Sequence, residues 1–321
     1  MTQYTPMHKR PPASAGQERV YASLDELMRL RYKASGFSFL PRQPIHSILS
    51  GRHASRLRGR GLNFEELRGY LPGDDTRHID WRVTARTHKP YVRVYTEEKD
   101  RTVWLLVDQR ISMFFGSRWK MKSVVAAEAA AVAAWRVLSQ RDRVGAVIFD
   151  DTDIRVIPPQ RSEQRVAQIL KQVIRKNHAL NTQSGLKPGP QMLNRALERV
   201  AALARHDCLV CLIGDGTGID LETRRFVTRL TEHNDVLSVF IYDPLEQSLP
   251  EAGRLVFSDG ESEMEFNTAD KKLRQAYSDD FQLRMDRMKA TSRRHAIPLI
   301  PISTATPVLE QVRERLGQHG W

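Results

Sequence analysis

The sequence predicts an α/β protein: a doubly wound, mostly parallel sheet over residues 101–321, preceded by an N-terminal α+β or mostly β appendage over 21–100. Three observations predict it. Short apolar runs such as Val103-Trp104-Leu105-Leu106-Val107 and Cys208-Leu209-Val210-Cys211-Leu212-Ile213 have the uninterrupted hydrophobicity of strands buried on both faces. Helical patterns alternate with these runs, as they do in a parallel sheet with helices on both faces. Composition also shifts near Thr102, from a stretch rich in Pro, Gly and Arg to apolar runs in regular alternation.

With 321 residues, 40% hydrophobic and 27% charged, the chain can bury a substantial core and is not disordered throughout. Two cysteines exclude a disulfide scaffold and suit a reducing compartment. There are 50 Lys and Arg against 38 Asp and Glu, a formal charge of +12. Such an excess bears on association with acidic protein, nucleic acid or anionic membrane, and says little about fold.

Residues 1–20, with Pro6, Pro11, Pro12 and Gly16 among polar neighbours, read as a disordered tail. Order is expected from Ser23, whose spacing to Glu26 is that of a reciprocal capping box, with Leu24, Leu27, Met28 and Leu30 as the apolar stripe. Residues 34–60 form an irregular basic segment that includes Arg52, Arg56, Arg58 and Arg60. A Pro72-Gly73 turn follows, and Tyr91 to Tyr95 reads as a strand. Beyond Thr102, strands are expected at 103–107, 143–149, 154–157, 208–213, 236–242 and 297–302. Helices are expected at 118–140, 162–176, 191–204, 220–233, 268–295 and 307–316. The Ala-rich run Val124 to Val137 contains Glu128 and falls short of the roughly 20 apolar residues of a membrane span, so it reads as a buried helix. The first 20 residues lack the apolar stretch of a secretory signal, and a cytoplasmic location is expected.

In doubly wound sheets ligands bind beyond the carboxyl ends of strands, and Asp108 and Asp215 both stand at such ends. Asp108 and Ser112 on one loop, with Asp215 from another, supply oxygens of the kind Mg²⁺ takes. This arrangement resembles the von Willebrand factor A fold, whose metal loop reads D-x-S-x-S with a Thr and an Asp from later loops. The match is degenerate. Arg110 stands where the first Ser belongs and Gln191 where the Thr belongs, and a guanidinium beside Asp108 would repel the ion and pair with the carboxylate instead. Magnesium is therefore a minor expectation, and no other cofactor is expected.

A longer signature runs through Gly59 and Gly61; Phe64, Arg68 and Tyr70; Pro72, Gly73, Asp74, Asp75, Arg77, Ile79, Asp80, Trp81, Arg82, Thr84, Ala85 and Arg86; then Asp108 and Ser112. It resembles the bacterial domain-of-unknown-function family 58. Asp74, Asp75 and Asp80 alternate with Arg68, Arg77, Arg82 and Arg86, a spacing suited to Arg–carboxylate pairs, and Trp81 offers a face to a guanidinium. Such a network either fastens the appendage to the A-like domain or presents a recognition surface. Catalysis by these carboxylates is disfavoured, because a neighbouring Arg keeps an Asp ionised and a poor general acid.

Cys208 and Cys211 form a C-x-x-C, but residues three apart on a strand project to opposite faces and cannot share a metal. The run Arg52 to Arg60 lacks the interleaved aromatics of a single-strand nucleic-acid platform. No phosphate loop, dinucleotide fingerprint, nucleophile elbow or H-E-x-x-H motif is present. The expectation is thus a non-enzymatic interaction protein. The family resemblance implies a partner, a MoxR-type AAA+ ATPase, and a role as adaptor in assembly, maturation or stress response. The alternatives are nucleic-acid binding through Arg52–Arg60 and a divergent metal-dependent hydrolase using Asp108 and Asp215.

Overall fold

The computed structural model describes residues 17–34, 62–97, 100–181, 187–258 and 263–317. Along the chain, α1 (Gln17–Val20) and α2 (Leu24–Lys33) come first, then β1 (Leu62–Gly69), α3 (Trp81–Thr87) and β2 (Tyr91–Glu97). There follow β3 (Thr102–Asp108), α4 (Lys122–Ser139), β4 (Arg143–Phe149), β5 (Ile154–Gln160), α5 (Glu163–Ala179) and α6 (Gln191–Leu203). The remainder is β6 (Leu209–Gly214), α7 (Leu221–His233), β7 (Asp235–Tyr242), the single turn α8 (Pro244–Gln247), the hairpin β8 (Arg254–Ser258) and β9 (Glu263–Asn267), α9 (Lys271–Arg294), β10 (Leu299–Ser303) and α10 (Val308–Gly317).

Six of these strands make one sheet in the order β10-β7-β6-β3-β4-β5, parallel throughout except that edge strand β5 runs antiparallel to β4. The order reverses between β3 and β6, which makes this a doubly wound sheet. Alternation along the strands divides the core: Val103, Leu105 and Val107 of β3 pack with α2, α4 and α5, while Trp104 and Leu106 pack with α6 and α7 on the other face. The Ala-rich helix α4 is buried along nearly its whole length, because small side chains let it sit between the sheet and the outer helices. Cys211 joins one face of the core and Cys208 the other, as their spacing requires, and both are free thiols. Burial pushes the Cys211 thiol up to about 12, which removes its nucleophilicity.

The compact units differ from the expected domain boundaries. Residues 1–42 group with 101–321, and the smaller unit comprises 43–100, so the expected 21–100 appendage starts too early. The reason is apolar cover for α2. Ala22, Leu27 and Ala34 belong to the large core, the Ala22 N–H donates to Asn177 Oδ1 at 2.8 Å, and Trp135 Nε1 donates to the Leu27 carbonyl at 3.0 Å. Residues 17–20, placed in the tail by sequence, already form a helical turn. Ser23 does open α2 with extended backbone, but its hydroxyl makes no capping bond, so burial and not the expected capping box anchors this end.

The smaller unit is an antiparallel hairpin of β1 and β2 carrying α3, an α+β arrangement. Pro72 and Gly73 make the expected turn, with Gly73 at φ 105°.

Candidate functional site

The reversal of strand order places β3 and β6 side by side, with Val107 opposite Ile213, so Asp108 and Asp215 leave the sheet next to each other. Gly214 permits that closeness: a Cβ there would lie 3.0 Å from Asp108 Cβ and 3.2 Å from its Oδ2. Two cations fill the space between the carboxylates. Arg110 donates through Nε to Asp108 Oδ1 and Oδ2 at 3.0 and 3.1 Å and through Nη2 to Oδ2 at 2.6 Å. Its Nη2 also donates to the Thr217 carbonyl at 2.9 Å and stands 4.0 Å from Asp215 Oδ1, while its guanidinium lies over the Phe149 ring. Lys122, the first residue of α4, places Nζ 3.0 Å from Asp215 Oδ2 and 2.8 Å from Glu246 Oε1.

Neighbouring strand-end carboxylates are committed in the same way. Asp151 accepts from the backbone of Ile111 at 2.6 Å and of Gly189 at 2.7 Å. Asp243, fully buried after β7, accepts from the N–H and hydroxyl of Ser117, the Thr304 hydroxyl and the Leu245 N–H. Burial opposes the charge on Asp215, yet Lys122, the Thr217 N–H and Arg110 hold it down at about 2. Burial lifts Asp108 to about 6 against the pull of Arg110. Burial likewise works against the charge on Arg110, but Asp108, Asp215 and Asp151 raise it above its ordinary value, and at pH 7 the pair is ionic.

This chemistry does not fit the Mg²⁺ of the A-fold. A divalent ion seeks about six oxygens in near-octahedral array, whereas here a guanidinium takes both oxygens of Asp108 and an ammonium takes Asp215. Ser112 Oγ is buried without a hydrogen-bond partner and could ligate, but one hydroxyl does not outweigh two fixed cations. Gln191 is exposed at the start of α6, and among the described residues no hydrogen bond joins it to the cluster. Nor, among the described residues, do three His, Cys, Asp or Glu come together as a metal site.

The Arg/Asp signature is organised by local caps more than by pairing. Arg68 and Asp74 form a bidentate pair at 3.0 and 2.8 Å, and Asp74 also accepts from Leu71 N–H, closing the turn after β1. Asp75 caps a 3₁₀ turn at Thr76–His78 through Arg77 N–H, and Asp80 caps α3 through Arg82 and Val83 N–H at 3.0 and 3.1 Å. Asp80 pairs with Arg93 at 2.8 Å, a partner the signature omits. Arg68 lowers the pKa of Asp74, and Arg93 that of Asp80. Tyr70 donates its N–H to the Pro90 carbonyl at 2.9 Å. The expected pairing of Arg77, Arg82 and Arg86 is not found: all three are exposed and meet no carboxylate among the described residues. Their caps need only the backbone N–H, which leaves the guanidinium groups outside. Trp81 is 68% exposed, and no guanidinium covers it among the described residues, contrary to the stacking expected. The run Arg52, Arg56, Arg58 and Arg60 lies outside the described residues.

Sequence reasoning missed Lys122, Glu246, Asp243 and Asp151. Only Lys122 carried a signal, as a single cation opening an otherwise apolar, Ala-rich helix.

The family model described as "Protein of unknown function DUF58" matches residues 66–300. The chain belongs to this family. Within curated proteins the DUF58 chain is similar to the uncharacterized proteins Rv1480 of Mycobacterium tuberculosis and Mb1516 of Mycobacterium bovis, each 29% identical over 221 residues, 69% of this chain and 68% of theirs. Solved structures similar to it include BatB, a conserved hypothetical protein from Bacteroides thetaiotaomicron, at 11% identity and TM-score 0.40, covering 68% of this chain and 98% of that one. The SpRpn10 VWA domain matches at 13% identity and TM-score 0.34, covering 67% and 95%. The doubly wound A-like form of this DUF58 chain is read from its own strand order and not from these distant overlaps. Among the described residues no helix is long and apolar enough to cross a membrane.

Proposed function

We propose that this DUF58 protein is a non-enzymatic adaptor, acting in the cytoplasm with a MoxR-type AAA+ ATPase in assembly, maturation or stress response. The observation that carries the reading is the closed strand-end site, in which Arg110 and Lys122 neutralise Asp108 and Asp215 within a buried cluster. Chemistry at this position would need a carboxylate oxygen open to a substrate or an ion, whereas Arg110 takes both oxygens of Asp108 and Lys122 holds Asp215. Paired as they are, these groups instead make the loops after β3 and β6 rigid, which suits a surface that is recognised as a whole. The exposed Trp81, with Arg82 and Arg86 on the same short helix, gives the smaller unit the aromatic and Arg composition of protein contact sites.

The test is affinity capture from the native cell with the full chain as bait. The expected result is recovery of the ATPase by the wild-type chain, reduced recovery with Trp81→Ala, and normal recovery with Arg77→Ala. A folded wild-type bait that retrieves no such ATPase would remove this partner.

A further inference from the structure

Helices α7 and α9 lie on the face of the sheet opposite α4 and scarcely touch one another. Between them runs a groove of about 410 Å³. Its apolar surface includes Val227 of α7, Leu283 and Met288 of α9, and Ile219 from the loop after Asp215. Leu283 is half exposed, and Leu221, at the start of α7, is 73% exposed. Arg224, Arg284 and Arg287 line the same groove, and among the described residues none of them pairs with a carboxylate. Arg284 Nε is buried without a hydrogen-bond partner. Asp280 is the acid that lines the groove, facing three arginines.

Charge continues beyond it. A second hollow, sharing Arg224, is lined by Arg225, Arg229 and Arg294 with Glu232. Together α7 and α9 hold eleven Lys and Arg against five Asp and Glu, a surplus of +6 within the chain's +12. Arg284 lies over the Phe281 ring. Apolar surface flanked by guanidinium groups that meet no carboxylate among the described residues is complementary to an acidic helix with one apolar face. A polyanion such as nucleic acid would satisfy the arginines but gain nothing from Leu283 and Met288, and among the described residues no aromatic ring lines the groove to stack on a base.

We propose that the α7–α9 groove is a docking site for an acidic amphipathic helix of a partner protein. Its apolar face packs on Ile219, Leu283 and Met288, and its carboxylates meet Arg224, Arg284 and Arg287. The site deepens the adaptor reading by stating what a partner must present, and rests on it only in taking the ligand to be protein.

The experiment is fluorescence anisotropy on the full chain with a labelled peptide of about 18 residues, long enough for a helix, bearing Leu on one face and Glu on the other. Controls are the same peptide with Gln for Glu, a scramble of equal composition, and a DNA duplex of about 20 base pairs. The expected result is saturable binding that weakens with salt, falls about tenfold or more in Arg224→Glu/Arg287→Glu and in Leu283→Asp, and is lost with both control peptides. Leu283→Ala serves if the Asp variant does not fold. Equal binding by the arginine variants, or by the scramble, overturns the proposal. So does a duplex that outcompetes the peptide and depends on the same arginines, which would make the face a nucleic-acid surface. ATPase capture is a separate readout: its failure with the wild-type chain removes that partner and leaves the peptide result standing.

Discussion

Replacing Lys122 by Met keeps the length and packing of the side chain while deleting its charge. The ammonium is 3% exposed and lies 3.0 Å from Asp215 and 2.8 Å from Glu246, carboxylates whose side chains are 2% and 17% exposed. Two estimates bracket the loss. Depression of Asp215 from an ordinary 3.8 to about 2 corresponds by linkage to about 2 kcal/mol for that carboxylate. Breaking a buried pair by removing one partner costs about 3–5 kcal/mol, because the remaining charge is left without compensation. Lys122→Met should therefore lower unfolding stability by about 2–5 kcal/mol, read as a shifted urea midpoint at unchanged m-value. Adding Asp215→Asn should recover part of the loss, since the stranded charge goes with it, giving a coupling energy of about 1–3 kcal/mol in the double-mutant cycle. A single-mutant cost below about 1 kcal/mol would refute the reasoning, because pairs of that strength are solvated ones.

Three further outcomes are expected. Asp215 has a folded pKa below its unfolded one, so its stabilisation is complete above about 3.8 and is lost as pH falls through about 2; wild type should lose stability relative to Asp215→Asn across that window in an acid titration, and parallel curves there would contradict the pairing. Arg110→Ser combined with Lys122→Met removes both cations and brings the loop to the D-x-S-x-S pattern, so millimolar Mg²⁺ should raise the melting temperature of the double variant and leave wild type unchanged; a wild-type shift of equal size would mean that the two cations do not exclude the ion. In the smaller unit, Arg77→Ala should change stability by less than about 0.5 kcal/mol, whereas Asp80→Ala, which removes the cap of α3 and the partner of Arg93, should lower the melting temperature measurably; equal effects would contradict the local geometry.

Elements with strong periodicity were legible from the chain alone. Strand β4 covers 143–149 as its sequence pattern predicts, and α6 and α7 match their amphipathic patterns to within a residue. The sequence reading omits the hairpin β8–β9: β8 has three apolar residues in a row and β9 alternates polar and apolar, each over only five positions, too short a run to stand out. At the site, Asp108 opposite Arg110 was foreseen because both lie on one loop. Lys122 was not, because its partners are 93 and 124 residues away, and no local spacing encodes such a pairing. The Arg/Asp signature misled for the opposite reason: alternating charges suggested pairs within it, but Asp75 and one oxygen of Asp80 cap backbone N–H groups two and three residues ahead, and the other oxygen of Asp80 pairs with Arg93, outside the signature.

The large unit is interrupted in sequence by the smaller one, and this orders events during synthesis. The bond from Trp135 to Leu27 spans 108 residues, so at a ribosomal rate of about 5–20 residues per second α2 waits roughly 5–20 s with its apolar stripe uncovered. Over that interval the smaller unit can form, since Leu62 pairs with Glu97 through a local hairpin. Once formed, it draws the ends of its own stretch together and shortens the effective loop that must close before α2 can dock, lowering the entropic cost of the long-range step. The hairpin is in this sense a clasp, made locally, that shortens the loop α2 must close to reach α4.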